Sequence, residues 1–474
     1  MNCTDACADF GVTVSLRSHC SEPTSLRSGV RKRIYRVGLL AVLAGGLLTT
    51  SGVMAQSLAG DPIAVSATSA TLEATQKTMV QRGEYLARAG DCIACHTSAK
   101  GAPFAGGLPL KTPFGTIIST NITPEKEGGI GNYTQADFTR ALRKGQRPNG
   151  DYLYPAMPYT SYSKMSDTDL AEMYAYFMQG VVAKKQTNPK THLSWPFSVN
   201  RLMSLWNWLY LPDKPFEDAP DQSAQWNRGA YLVQGLGHCG SCHTPRSVLG
   251  GEKGLTETGS HLFLSGAVID GWYAQPLRNS ALPGLGTWRA EDIAQYLKTG
   301  RTAHTAAFGA MADVVSQSTQ YLTQADLLAI ATYLKSTGDG PGTVTSRASL
   351  PTDSTATALR NGETSKPGAL IFLNNCAGCH RSGGQGAATV FPALAHSSSV
   401  AAPDPTSLIR IVLEGASMPH TGEAPSQLGM PALGWRLTDK NIADVLTFVR
   451  SSWGNHSASV NTDQVTKIRN SLKP

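Results

Sequence analysis

The sequence predicts an all-α chain built as three tandem helical units with long loops, and three observations carry that reading. The cluster Cys-x-x-Cys-His occurs three times: Cys92-Ile93-Ala94-Cys95-His96, Cys239-Gly240-Ser241-Cys242-His243 and Cys376-Ala377-Gly378-Cys379-His380. Each cluster lies between a glycine-led apolar stretch and a later amphipathic stretch behind a Ser, Thr or Asp. The composition (47 Gly, 27 Pro, 16% charged residues in 474) favours short helices joined by long loops. That length accommodates about three domains.

The clusters carry chemistry. Cys-x-x-Cys-His is the attachment signature of c-type haem. Two intervening residues let both sulfurs reach one ring edge from a single helical turn, and the next residue turns its imidazole onto the iron. One copy could be half of a zinc site, which would need a second Cys or His pair nearby. Three copies, 147 and 137 residues apart, set a period instead. Of nine cysteines, six lie in the clusters, and Cys3, Cys7 and Cys20 lie in an expected leader. The expected cofactors are three covalent haem c groups, held by Cys92, Cys95, Cys239, Cys242, Cys376 and Cys379, with His96, His243 and His380 as proximal iron ligands. The fold class follows: all-α, three tandem mono-haem cytochrome c domains with long loops.

Residues 1–55 read as a secretory signal. Arg31, Lys32, Arg33 and Arg36 precede an apolar run from Val37 to Thr49, and Val53-Met54-Ala55 offers small residues at a cleavage site. Export fits the chemistry, because c-type haem is attached outside the bacterial cytoplasm. The formal charge of +7 shrinks to +4 once this leader is removed. Six haem propionates would bring it to roughly −2, which argues against a nucleic-acid partner.

Each unit opens with a helix running into its cluster, at Gly83-Glu84-Tyr85-Leu86, Gly229-Ala230-Tyr231-Leu232 and Gly368-Ala369-Leu370-Ile371. Each closes with a capped helix starting at Ser166 or Asp167, at Thr323 and at Thr438. Its apolar residues recur at three- and four-residue steps, as a half-buried helix requires. Asp or Asn, then Leu or Ile, then an aromatic six residues on recurs in all three, at Tyr176, Tyr333 and Phe448. These aromatics and the opening glycines match a close crossing of first and last helices, with plain core packing as the alternative.

The sixth iron ligand should lie between cluster and closing helix, where Met or His raises the reduction potential and closes the iron. Met157, in Tyr154-Pro155-Ala156-Met157-Pro158, is stiffened by flanking prolines. Met165, Met173 and Met178 fit core packing better. Met311 is the one methionine between His243 and the third cluster. The third unit offers Met418 and Met430, and Met430 lies nearer the closing helix. His304, His396 and His420 are alternatives that read more naturally as loop histidines.

These features divide the chain into a signal (1–55), a flexible lead-in (56–78), a first domain (79–190), an aromatic-rich connector (191–222), a second domain (223–338), a linker (339–362), a third domain (363–455) and a polar, peripheral tail (456–474). Within the connector, the stretch 195–211 crowds Trp195, Phe197, Trp206, Trp208 and Tyr210 around a single charge, Arg201. Too short and Pro-interrupted for a convincing membrane span, it could meet a membrane interface, a partner subunit or a neighbouring domain.

Beyond the clusters, Gln81 to Cys92, Ser119-Thr120-Asn121-Ile122-Thr123-Pro124, Leu153 to Tyr159, Leu236 to Arg246 and Arg450 to Asn455 resemble the triple-haem cytochrome c subunits of membrane-bound alcohol, polyol and gluconate dehydrogenases, over residues 79 to 455. The resemblance implies Met157, Met311 and Met430 as axial ligands and no catalytic residue in this chain. It implies a large catalytic subunit carrying FAD or pyrroloquinoline quinone, a place for a small third subunit, and ubiquinone as acceptor. It also implies residence on the periplasmic face of the cytoplasmic membrane. A haem enzyme in its own right, or a soluble carrier, are the competing expectations.

Overall fold

The computed structural model describes residues 62–212, 214–338 and 354–473, so the expected signal lies outside the described residues. Helices carry the architecture. An opening helix, Pro62–Ala89, is crossed by a closing helix, Asp167–Ala175, that continues as a π-helical turn, Tyr176–Gly180. The arrangement recurs as Ala224–Tyr231 with its π turn Leu232–Leu236 against Gln324–Ser336, and as Ala369–Asn375 against Asp439–Arg450. Ser166, Thr323 and Thr438 are the N-caps, each accepting the backbone N–H three residues on. Such a cap contributes about 1 kcal/mol.

The glycine-to-aromatic crossing is present three times. A Cβ on Gly83 would stand 2.0 Å from the Glu172 carbonyl oxygen and 2.7 Å from Tyr176 Cβ. On Gly229 it would meet the Ala329 oxygen at 2.0 Å and Tyr333 Cβ at 2.8 Å. On Gly368 the Asp444 oxygen would be 2.3 Å away and Phe448 Cβ 2.9 Å. Only a residue without a side chain lets two backbones approach this closely.

The apolar interior is divided unevenly among the three crossings. Leu86, Phe104, Leu170 and Phe177 of the first share one core with Leu232, Leu236, Phe263 and Leu327 of the second. Phe372, Ile409, Ile442 and Val465 belong to a separate core around the third. The first two repeats are joined by a reciprocal exchange. Tyr85, on the first opening helix, donates to Asp326 at 2.6 Å and accepts the Thr323 N–H at 3.2 Å, at the start of the second closing helix. Tyr231, on the second opening helix, donates to Asp169 and accepts the Ser166 N–H at 3.2 Å, at the start of the first closing helix. At the equivalent place the third repeat has Leu370, 54% exposed.

Three expectations about segments are corrected. The lead-in is helical from Pro62 onward: its Ala, Ser, Thr and Leu residues contain no glycine or proline to stop a helix propagating outward from the packed turns at Val80–Ala89. The end of the expected linker forms the helix Thr355–Arg360, whose Leu359 joins the third core; residues 339–353 lie outside the described residues. The tail is not peripheral. Helix Thr462–Ser471 buries Val465 in the third core, with Val460 just before it, and Arg469 pairs with Asp439 at 2.6 Å.

Short antiparallel ribbons interrupt the loops: Pro109–Thr112 with Gly115–Ile118 and His192–Leu193, Ala267–Ile269 with Trp272–Ala274, and Ala416–Ser417 with Gly429–Met430. No helix among the described residues is long and apolar enough to cross a membrane.

Candidate functional site

Each Cys-x-x-Cys-His cluster forms a single helical turn: Cys92–Cys95, Gly240–His243 and Ala377–His380. The three histidines are held alike. His96 Nδ1 lies 2.7 Å from the Thr120 carbonyl oxygen, His243 Nδ1 2.6 Å from that of Gln275, and His380 Nδ1 2.9 Å from that of Pro392. A carbonyl can only accept, so each Nδ1 carries the proton and each Nε2 keeps its lone pair for a metal. Burial holds all three imidazoles below their ordinary range, against the carbonyl's opposing pull, which favours the neutral, ligating form. The carbonyls belong to chain just past a ribbon or an isolated bridge: Gly115–Ile118, Trp272–Ala274 and Ala387 with Phe391. The loops thus aim the histidines.

None of the six cluster cysteines is paired in a disulfide, so all six sulfurs are available for thioether bonds to a porphyrin. Among the described residues no group of three His, Cys, Asp or Glu is placed to hold a metal ion.

A cavity of about 770 Å³ opens beside the first cluster, and its lining takes in Cys92, Cys95, His96 and Met157 together with Phe138 and Phe177. The two expected ligands of one iron therefore face the same space. The donor set fits haem c: paired thiols, an oriented imidazole, a thioether and an apolar wall. When bound, that group supplies one-electron redox chemistry at iron.

Met430 is fixed by pairing of its strand with Ala416 and packs, half-buried, against the third core, against which Cys376 also packs. Met418 is elsewhere, in a cleft of about 500 Å³ with Trp272, Asp313 and Arg410. Met311 stands half-buried in the first turn of helix Ala310–Gln317. Met165 and Met173 are buried in the shared core, and Met178 packs partly buried against it, as expected. His304 and His420 are exposed, the latter with Nδ1 2.7 Å from the Pro425 oxygen, and His396 is half-buried beside Gly454.

The aromatic connector packs against a neighbouring segment, one of the three roles considered for it. Helix Met203–Tyr210 buries Met203 and Trp206 against Tyr159, and Asn207 accepts from the Tyr159 hydroxyl at 2.7 Å while donating to the Lys144 carbonyl at 3.0 Å. This face backs the Met157 loop. The other face exposes Leu205, Trp208 and Leu209, and Trp195, earlier in the connector, is 82% exposed. Sequence reading missed the three carbonyl partners, since a backbone acceptor has no side-chain signature.

Comparison with known proteins agrees with this chemistry. The cytochrome c family model matches residues 365–453. The chain is 49% identical, over 398 residues, to the gluconate 2-dehydrogenase cytochrome c subunit of Pantoea cypripedii, covering 82% of this chain and 89% of that protein. It is 44% identical to the cytochrome c subunit of the quinone alcohol dehydrogenase of Gluconobacter oxydans, covering 87% and 86%. To the fructose dehydrogenase cytochrome subunit of Gluconobacter japonicus it is 38% identical, covering 87% of each. Attachment clusters, oriented histidines and near full-length similarity lead to one conclusion: the chain belongs to the family of cytochrome c subunits of dehydrogenases, and it is an electron-transfer subunit carrying covalent haem c.

Proposed function

We propose that this chain holds three haems with the ligand pairs His96/Met157, His243/Met311 and His380/Met430, one in each of three cytochrome c domains. It passes electrons from the catalytic subunit of a gluconate 2-dehydrogenase type enzyme to ubiquinone. The observation that carries this reading is the threefold repetition of one device, a Cys-x-x-Cys-His turn whose His Nδ1 donates to a backbone carbonyl. The gluconate assignment rests on the 49% identity to that enzyme's cytochrome subunit. The same role in a quinone alcohol dehydrogenase is the second reading, supported at 44% to 46% identity.

The expected export signal and the exposed Trp195 and Trp208 of the connector support work at the periplasmic surface of the cytoplasmic membrane. Two measurements test the proposal. Alkaline pyridine haemochrome absorbance against protein concentration should give three haems per chain. Carbon monoxide should leave the spectrum of the reduced protein unchanged, because six-coordinate iron has no open position. A CO-reactive fraction would point to a haem enzyme instead. The flavin or pyrroloquinoline quinone content of the co-purifying large subunit separates the two dehydrogenases.

A further inference from the structure

The residue just before each attachment cluster, namely Asp91, His238 or Asn375, has a buried polar side-chain atom with no hydrogen-bond partner. Only eight such atoms occur among the described residues, so the recurrence at one position of the repeat singles that position out. Unpartnered buried polar atoms are costly and uncommon, and each calls for an explanation. Asp91 and His238 are also held at positive φ, 50° and 39°. Backbone in this disfavoured region persists where the surroundings impose it, often at functional sites.

His238 is the informative case because it belongs to two sites at once. Its carbonyl is bonded to Cys239, the first anchor of the second cluster, yet its side chain lines the cavity that holds His96 and Met157. There its ring stacks on Tyr162, with centroids 5.7 Å apart and planes 27° apart. The Tyr162 hydroxyl donates at 2.8 Å to the carbonyl of Gly90, two residues before Cys92. The Nδ1 makes no hydrogen bond of good geometry, and the Gly237 carbonyl is the one acceptor near enough to favour its protonation.

Asp91, before the first cluster, lines the same cavity, so the residues preceding both clusters converge on the space beside His96.

We infer that His238 is a positioning residue shared by the first two haem sites: its ring, stacked on Tyr162, forms the wall between them, and its unpartnered nitrogen sets the potential of the haem held at His96. Packed, fixed dipoles beside an iron are a lever on potential separate from ligand identity. The single electron that passes between the two irons oxidises one and reduces the other, so His238 need neither gain nor lose a proton. The inference rests on the three-haem reading above.

The test is a spectroelectrochemical titration of the full-length holoprotein carrying His238→Phe, which keeps a ring on Tyr162 but removes the nitrogen. A second variant, His238→Asn, withdraws the ring and suits a left-handed backbone. Each should shift one midpoint potential, that of the same haem whose midpoint Met157→Ala moves, and leave the haem of the third cluster where it was. Should the Phe variant fail to fold, the Asn variant decides alone. Unchanged midpoints, or all three moving together, would overturn the inference. A parent protein with other than three haems by pyridine haemochrome would instead sink the reading it rests on.

Discussion

At the scale of single residues, the structure separates groups that look equivalent in the sequence. Met418 and Met430 both precede proline in the same loop, but only Met430 packs against the third core, as Cys376 does. Met430→Ala should lower one midpoint potential in a redox titration, because loss of the thioether ligand favours ferric iron. Met418→Ala should change none; the opposite result would exchange their roles. Lys164 gives a pH-dependent case. Its Nζ donates to Gln234 at 3.1 Å and to the Leu255 carbonyl at 2.6 Å, joining the first repeat to the second. Burial lowers this ammonium to about 8, although Glu252 and Glu257 pull the other way. The unfolded chain keeps its lysine protonated up to about 10.4. Below about 8 both states are charged, and the cost of burying the charge is fully present. Between those values the unfolded state binds more protons, so this group adds stability as pH rises. Lys164→Met should abolish that increment in denaturant titrations run on either side of the window.

At the scale of elements, the helix crossings are where local sequence and long-range packing agree. A methyl group at Gly229 would overlap the Ala329 carbonyl, so Gly229→Ala should cost about 1–3 kcal/mol by denaturant titration. Gly422→Ala, where nothing lies within 4 Å, is the control and should cost little. The crossings and their caps were legible because a Gly, a Ser or Thr cap and an aromatic recur at fixed offsets. The lead-in and the tail were not. Their composition is polar and Ala-rich, and the helix at Thr462–Ser471 is tied down by one fully buried residue, Val465, with Val460 ahead of it. Val465, Ile468 and Leu472 do recur at three- and four-residue steps, but three apolar residues in one short polar stretch are a weak signal. The ribbons of two to four residues are too short for alternation to declare them, yet the Met430 strand and the Thr120 and Gln275 carbonyls depend on them.

At the scale of the whole molecule, three similar repeats make two cores. Tyr85 and Tyr231 occupy matching places in their helices, and a sequence reading assigns both to their own repeats. The bonds to Asp326 and Asp169 appear only when the repeats are packed together. Leu370 replaces the tyrosine in the third repeat, which meets the second through polar contacts instead. Arg301 donates to the Ser426 carbonyl, the Tyr273 N–H donates to Ser407 Oγ at 2.8 Å, and Arg410 lies 4.4 Å over Trp272. Interfaces of this polar kind couple domains weakly. Calorimetry of the holoprotein should therefore show two transitions, the larger for the shared core of the first two repeats. Tyr231→Phe leaves the Asp169 carboxylate short of a donor and should lower the larger transition alone, by about 1–3 kcal/mol. Arg450 is fully buried and donates to the carbonyls of Val400 and Ala402 at 2.9 Å and of Ala458 at 2.7 Å. Arg450→Met strips those acceptors of their partner and should lower the smaller transition alone. A single transition shifted by both variants would mean that the polar interface couples the two cores into one cooperative unit.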